Sequence, residues 1–139
     1  MSGKLTLTMI KPEAVKKGFT GAILNKIQDA GFEISAMKMY QLTRNQVERF
    51  YAEHLGKPFY EGLCDYMSSG PIVAAVLKKE NAVVDFRTLV GKTDPKEAAE
   101  GTIRKEFAES GSKNAVHGSD SDESANKELS FHFAQTELF

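Results

Sequence analysis

Apolar and polar positions change rhythm several times along the chain, and each change marks an element. Residues 5–10, LTLTMI, alternate apolar and polar and predict a strand. Thr20 is placed to cap a helix that carries Ile23, Leu24, Ile27 and Ala30 on one face and stops at Gly31. EISAMKMY (33–40) predicts a second strand. Thr43 and Gln46 form the pattern of a capping box, followed by an apolar stripe of Val47, Phe50, Tyr51, His54 and Leu55. A shorter helix is expected after Lys57-Pro58, with Phe59, Leu63, Tyr66 and Met67 on one side, ended by Ser69-Gly70-Pro71. IVAAVL (72–77) is a continuous apolar run, the pattern of a central strand. Asn81 is placed to cap a helix through about Val90, closed by Gly91.

Residues 91–102, GKTDPKEAAEGT, read as a polar loop with a short acidic turn at Asp94, Pro95 and Glu97. A brief helix, TIRKEFA, follows; NAVH predicts a last short strand, and Ser119 or Ser121 caps a helix to about Phe131. The expected order is β-α-β-α-α-β-α-loop-α-β-α. It fits a mixed α/β (α+β) fold with a ferredoxin-like βαββαβ core, an antiparallel four-stranded sheet with added helices.

Composition narrows this picture without redirecting it. The chain has 139 residues, read as one domain over 1–139, with 41% hydrophobic and 27% charged residues, ordinary for a soluble globular protein. A formal net charge of −1 provides no global attraction for nucleic acid or anionic membrane, so a phosphate-bearing ligand needs a local cluster of cations. The single cysteine, Cys64, has no internal disulfide partner, and the apolar stretch before Lys11-Pro12 is too short for a signal-peptide core or a membrane span. A cytoplasmic location is expected.

Two motifs that suggest other chemistry fail on spacing. GKT at 91–93 lacks the P-loop glycine five residues earlier, where Phe86 stands, and it follows a helix rather than a strand. His54 and His132 are far from Cys64 and from each other, so no metal-ligand pair emerges. His54 reads as a partly buried side chain on a helical stripe, and His132, in FHF, has no functional signal.

His117, in NAVHGSDSDESANKE (114–128), admits four readings: buried structural histidine, metal ligand, phosphate-binding residue or nucleophile. Alone, it would be structural more often than catalytic; its company shifts the balance towards a nucleophile. Gly118 offers a sharp turn and space before the ring. Ser119, Asp120 and Ser121 add hydroxyls and a carboxylate, and Glu128 on the next helix is suited to fix the imidazole tautomer. A phosphoryl acceptor also needs cations, for which Lys11, Arg87 and Arg104 are the candidates.

Taken together, TMIKPEAV (8–15), FYAEHLGKPFYEGLCDYMSSGPIVAAVL (50–77), R…GKTDP…GTIR within 87–104 and NAVHGSDSDESANKE (114–128) closely resemble the nucleoside diphosphate kinases. The resemblance implies ping-pong transfer of the terminal phosphate of ATP or another nucleoside triphosphate to a nucleoside diphosphate, with His117 attacking through its δ nitrogen. It implies that Glu128 holds the other ring nitrogen, that Ser119 lies beside Glu128, and that Lys11, Tyr51, Arg87, Thr93 and Arg104 contact phosphates. Asn114 and Lys11 would approach the sugar, Phe59 would stack on the base from one side, and Leu63 would support the pocket. Stacking reads a π-face, so broad base tolerance is expected. Magnesium (Mg2+) is expected to arrive with the nucleotide, since no carboxylate cluster suggests a protein cage.

The family also implies a homo-oligomer, a tetramer or hexamer built from a common dimer; the short tail, Gln135 to Phe139, keeps a dimer among the expected states. Lys105-Glu106, Lys113 and Glu100 depart from the family pattern, and their expected effect is on loop stability or subunit contacts. Two rival functions share the fold: a nucleotide- or nucleic-acid-binding regulator without catalysis, and a phosphohistidine carrier that passes its phosphate to a protein. Retention of every residue assigned to chemistry argues against the first.

Overall fold

The computed structural model describes residues 3–139. Its sheet has the order β2-β3-β1-β4, built from β1 (Leu5–Ile10), β2 (Glu33–Tyr40), β3 (Ile72–Lys78) and β4 (Val116–Gly118), with every neighbouring pair antiparallel. Helices α1 (Pro12–Lys16) and α2 (Thr20–Asp29) connect β1 to β2, while α5 (Ala82–Val90) and α6 (Ile103–Phe107) lie between β3 and β4. Helices α3 (Arg44–Phe50) and α4 (Tyr60–Met67) stand between β2 and β3, and α7 (Asp122–His132) follows β4. This is the expected ferredoxin-like βαββαβ topology with added helices. No helix among the described residues is long and apolar enough to cross a membrane.

Alternation along β1 and β3 feeds two cores, one on each face of the sheet. Leu7, Met9, Ile72, Ala74 and Val76 join Val47, Cys64, Met67 and Leu129 from α3, α4 and α7. Ile10, Val73, Ala75 and Leu77 join Ile23, Ile27, Phe86, Val90 and Ile103 from α2, α5 and α6. β1 is therefore buried on both faces, although its alternating sequence suggests one solvated face. Thr6 and Thr8 are 1% and 0% exposed. The Thr8 hydroxyl donates to the His117 carbonyl at 2.8 Å, which makes a polar residue serviceable there.

Several helix ends differ from expectation. Phe19, not Thr20, occupies the cap position of α2; the chain turns straight out of α1 through Gly18 (φ 81°), and Phe19 packs its ring on Phe107. Asn81 does precede α5, but in left-handed geometry (φ 55°) and without a side-chain cap. Ser121 caps α7 by accepting from the Ser124 N–H, which releases Ser119 for another task. The Thr43–Gln46 capping box forms as expected, yet α3 ends at Phe50 and the chain continues through a 3-10 turn at Ala52–His54. Leu55, expected on the apolar stripe, is consequently 72% exposed.

Candidate active site

β4 is only three residues long, and it places His117 opposite Met9 of β1. The preceding turn is strained. Ala115 has φ 73°, and the Val116 N–H donates to the Asn114 carbonyl at 2.9 Å, a γ-turn at a residue with a Cβ. The Lys11 N–H holds the Ala115 carbonyl at 2.8 Å, so the end of β1 fixes this turn in place. Gly118 serves a purpose other than the sharp turn expected of it. A Cβ there would meet the Phe86 ring at 3.0 Å, so its role is to let β4 lie close against α5.

The His117 ring is held at one nitrogen. Nε2 lies 2.7 Å from Glu128 Oε1 on α7, and the Ser119 hydroxyl donates to the same oxygen at 2.7 Å. Ser119 is fully buried, and its Oγ also accepts from the Leu7 N–H at 3.3 Å, tying the carboxylate to the central strand. Phe50 packs edge-on against the imidazole with centroids 5.5 Å apart. Nδ1 of His117 makes no hydrogen bond among the described residues, and the ring lines two adjoining cavities of about 660 and 240 Å3.

The larger cavity is lined by Lys11, Tyr51, Phe59, Leu63, Thr93, Asn114 and His117. Phe59 is half-exposed, presenting an aromatic face at its mouth. The smaller cavity shares Tyr51, Thr93 and His117 and adds Arg87, Arg104 and His54. Every residue expected at the site thus belongs to this cleft or holds a residue that does. Glu128 itself lines the smaller cavity, and Ser119 holds it from behind.

Its electrostatics follow from burial. Lys11 is 6% exposed, its Nζ donates to Asn114 Oδ1 at 2.6 Å, and desolvation with the Arg104 charge nearby lowers its pKa to about 7. Arg104 is locked by three backbone carbonyls, donating to Val116 at 3.0 Å and to Asn114 and Gly91 at 3.3 Å. Burial and Arg87 lower its pKa to about 10. Arg87 is exposed and reaches only the Gly118 carbonyl, at 3.5 Å. The Tyr51 hydroxyl is buried without a hydrogen-bond partner among the described residues, and burial with Glu128 close by raises its pKa. Arg87, Arg104 and, when protonated, Lys11 therefore share the cleft with an imidazole nitrogen that makes no hydrogen bond among the described residues, an arrangement suited to an anion and to attack on phosphorus.

His54, set aside from sequence as a stripe residue, lines the cleft wall between Tyr51 and Phe59 at centroid distances of 6.1 and 5.2 Å. Its three-residue separation from Tyr51 was a signal, masked because the helix was expected to continue. No cluster of three or more His, Cys, Asp or Glu able to hold a metal occurs among the described residues, so the donor set does not fit a resident metal ion.

The departures from the family pattern find places too. Glu106 pairs with Lys26 at 2.9 Å and so links α6 to α2, while Lys113 lines the larger cavity. Lys105 and Glu100 make no contact that explains them.

Comparison with known proteins places this geometry. The family profile described as nucleoside diphosphate kinase matches residues 4–138. The nucleoside diphosphate kinase of Flavobacterium psychrophilum is 56% identical over 139 residues, covering all of both chains, and that of Pasteurella multocida is 52% identical over the same span. The crystal structure of the Aquifex aeolicus nucleoside diphosphate kinase superposes with a TM-score of 0.96 at 42% identity, covering 98% of this chain and 99% of that one. A halophilic nucleoside diphosphate kinase from Halobacterium salinarum, in complex with CDP, superposes with a TM-score of 0.94 at 33% identity, covering 98% and 91%. With the match running through the cleft and nearly every other residue, the chain belongs to the nucleoside diphosphate kinase family.

Proposed function

We propose that His117 is the residue through which this kinase passes the terminal phosphate of a nucleoside triphosphate to a nucleoside diphosphate. The observation that carries the assignment is the one-sided hold on the ring. Glu128 accepts from Nε2–H, which puts the lone pair on Nδ1, the nitrogen without a protein partner. Nδ1 attacks the terminal phosphorus in line; the bond to the bridging oxygen breaks, and the diphosphate departs with those electrons. A second diphosphate then attacks the same phosphorus through its terminal oxygen, and the P–N bond breaks.

Arg104, Arg87, Lys11, Thr93 and the Tyr51 hydroxyl are the groups that receive the phosphate oxygens. Because Arg104 and Lys11 are already fixed by protein partners, little reorganisation is needed as charge develops. Asn114 and Lys11 are placed for the sugar, Phe59 for the base, and Leu63 for the pocket wall behind it. Magnesium is read as entering with the nucleotide, held by its phosphates, a reading supported by the lack of a metal-holding cluster among the described residues. In double-reciprocal plots of initial rate, ATP and a diphosphate acceptor are expected to give parallel lines; intersecting lines would indicate direct transfer without a phosphoenzyme.

The chain is read as one kinase domain over 1–139, since both cores share one sheet, and as a cytoplasmic protein. Assembly into a homo-oligomer is supported by β2, an edge strand on which Met37 and Met39 are 52% and 59% exposed. Light scattering at micromolar concentration tests this; a monomer mass contradicts it.

A further inference from the structure

His132 is a buried titratable group that the proposed chemistry does not use. It lies on α7, one turn beyond Glu128, and is 4% exposed. Its Nδ1 is hydrogen-bonded to the Tyr40 hydroxyl at the end of the edge strand β2, 92 residues earlier in the chain. Its Nε2 is buried with no hydrogen-bond partner among the described residues. One polar contact thus ties the helix that carries Glu128 to the far edge of the sheet.

Phe50 connects this pair to the nucleophile. Its ring packs on His132 at a centroid distance of 5.2 Å and on His117 at 5.5 Å, edge-on to the latter. Phe131 closes the cluster, 5.1 Å from both Phe50 and His132. The charged and titratable groups facing His132 are Tyr40 and Lys38 from β2, Glu128 from its own helix and His117 from β4. Burial chiefly, with His117 and the Lys38 ammonium nearby, holds the His132 ring neutral, lowering its pKa to about 4. A neutral ring keeps the Tyr40 bond intact at physiological pH.

We propose that Tyr40 and His132 are positioning residues for His117: their hydrogen bond sets the last turns of α7 and the Phe50 ring, and through them the Glu128 carboxylate and the plane of the nucleophilic imidazole. Neither residue reaches the cavities, so the pair acts on the geometry of attack and not on nucleotide binding. The backbone of α7 carries both ends of the effect, since a shift at His132 moves Glu128 one turn away. The unpartnered Nε2 fits a residue retained for a specific contact, because an apolar ring would fill the same space without that desolvation cost.

The inference rests on the assignment of His117 as the phosphorylated residue. Rapid-quench measurement of phosphoenzyme formation from ATP would compare the wild type with Tyr40→Phe, His132→Phe, the double variant and His132→Asn. Tyr40→Phe removes one oxygen and His132→Phe keeps a ring, so both are expected to fold, which a melting curve checks. Tyr40→Phe and His132→Phe should each slow phosphorylation of His117 by about tenfold while apparent ATP affinity stays within about twofold. The double variant should be no slower than either single one, because the two residues act as one contact. His132→Asn, whose amide sits near the position of Nδ1, should recover most of the rate. Unchanged phosphorylation rates in folded variants would overturn the proposal, as would a loss confined to ATP affinity or a double variant whose losses multiply. A wild type that takes up no phosphate defeats the His117 assignment itself, whereas a wild-type burst with unaffected variants defeats the pairing alone.

Discussion

His117 Nε2 lies 2.7 Å from Glu128 Oε1, and that oxygen simultaneously accepts the Ser119 hydroxyl. The second hydrogen bond matters because a carboxylate on a helix free to swing would orient the ring poorly. Ser119, buried and tied to the Leu7 N–H, anchors it to the rigid centre of the sheet. Glu128→Ala leaves the ring free to adopt either tautomer and should lower kcat on the order of a hundredfold. Ser119→Ala, which keeps the carboxylate, should cost less than that. Steady-state rates at saturating ATP and diphosphate measure both, and equal losses would show that Ser119 does more than orient Glu128.

Lys11 makes nucleotide binding depend on pH. Its pKa in the free protein is lowered to about 7, so above neutral pH it is largely uncharged. A bound phosphate raises that pKa again, and binding at pH 8 therefore takes up a proton. Calorimetry in two buffers of different ionisation enthalpy should detect this uptake, and affinity should fall between pH 7 and pH 9. Lys11→Met should abolish both effects.

Phe59 offers a half-exposed aromatic face, and a phenyl ring has no hydrogen-bonding atom of its own to select among bases. Phe59→Ala is expected to raise KM for purine and pyrimidine diphosphates alike, by roughly 1–3 kcal/mol in binding. The change in kcat should be smaller. A loss limited to one base would mean that another residue reads its edge.

Acid should destabilise the protein through His132. Its folded pKa, about 4, is below the ordinary histidine value of 6.5, so this contribution is fully present above about pH 6.5 and declines as pH falls toward 4. The difference corresponds to at most about 3 kcal/mol. Urea denaturation at pH 7.5 and pH 5 should show a steeper loss for the wild type than for His132→Phe; parallel losses would mean that other groups dominate acid unfolding.

Elements with a local chemical cause were readable from sequence. β2 has the expected limits because its bulky apolar residues are bounded by Gly31 and the Thr43 capping box. The pairing of His117 with Glu128 followed from the motif that carries both. Features determined by distant contacts were not readable. Nothing in NAVH announces a positive φ at Ala115, whose carbonyl is held by the N–H of Lys11, the residue between β1 and α1. Gly118 looks like a turn residue until Phe86 is seen against it. Tyr40 and His132 each resemble an ordinary element-end residue, and their bond exists only in the folded chain.

The central claim is that phosphate resides on His117 between the two half-reactions. Wild type and His117→Ala would be incubated with γ-labelled ATP and the isolated protein then mixed with excess GDP. The account predicts an acid-labile, base-stable label on the wild type alone, released by GDP as labelled GTP. A wild type that binds ATP yet remains unlabelled, or a His117→Ala protein that labels equally, would contradict it.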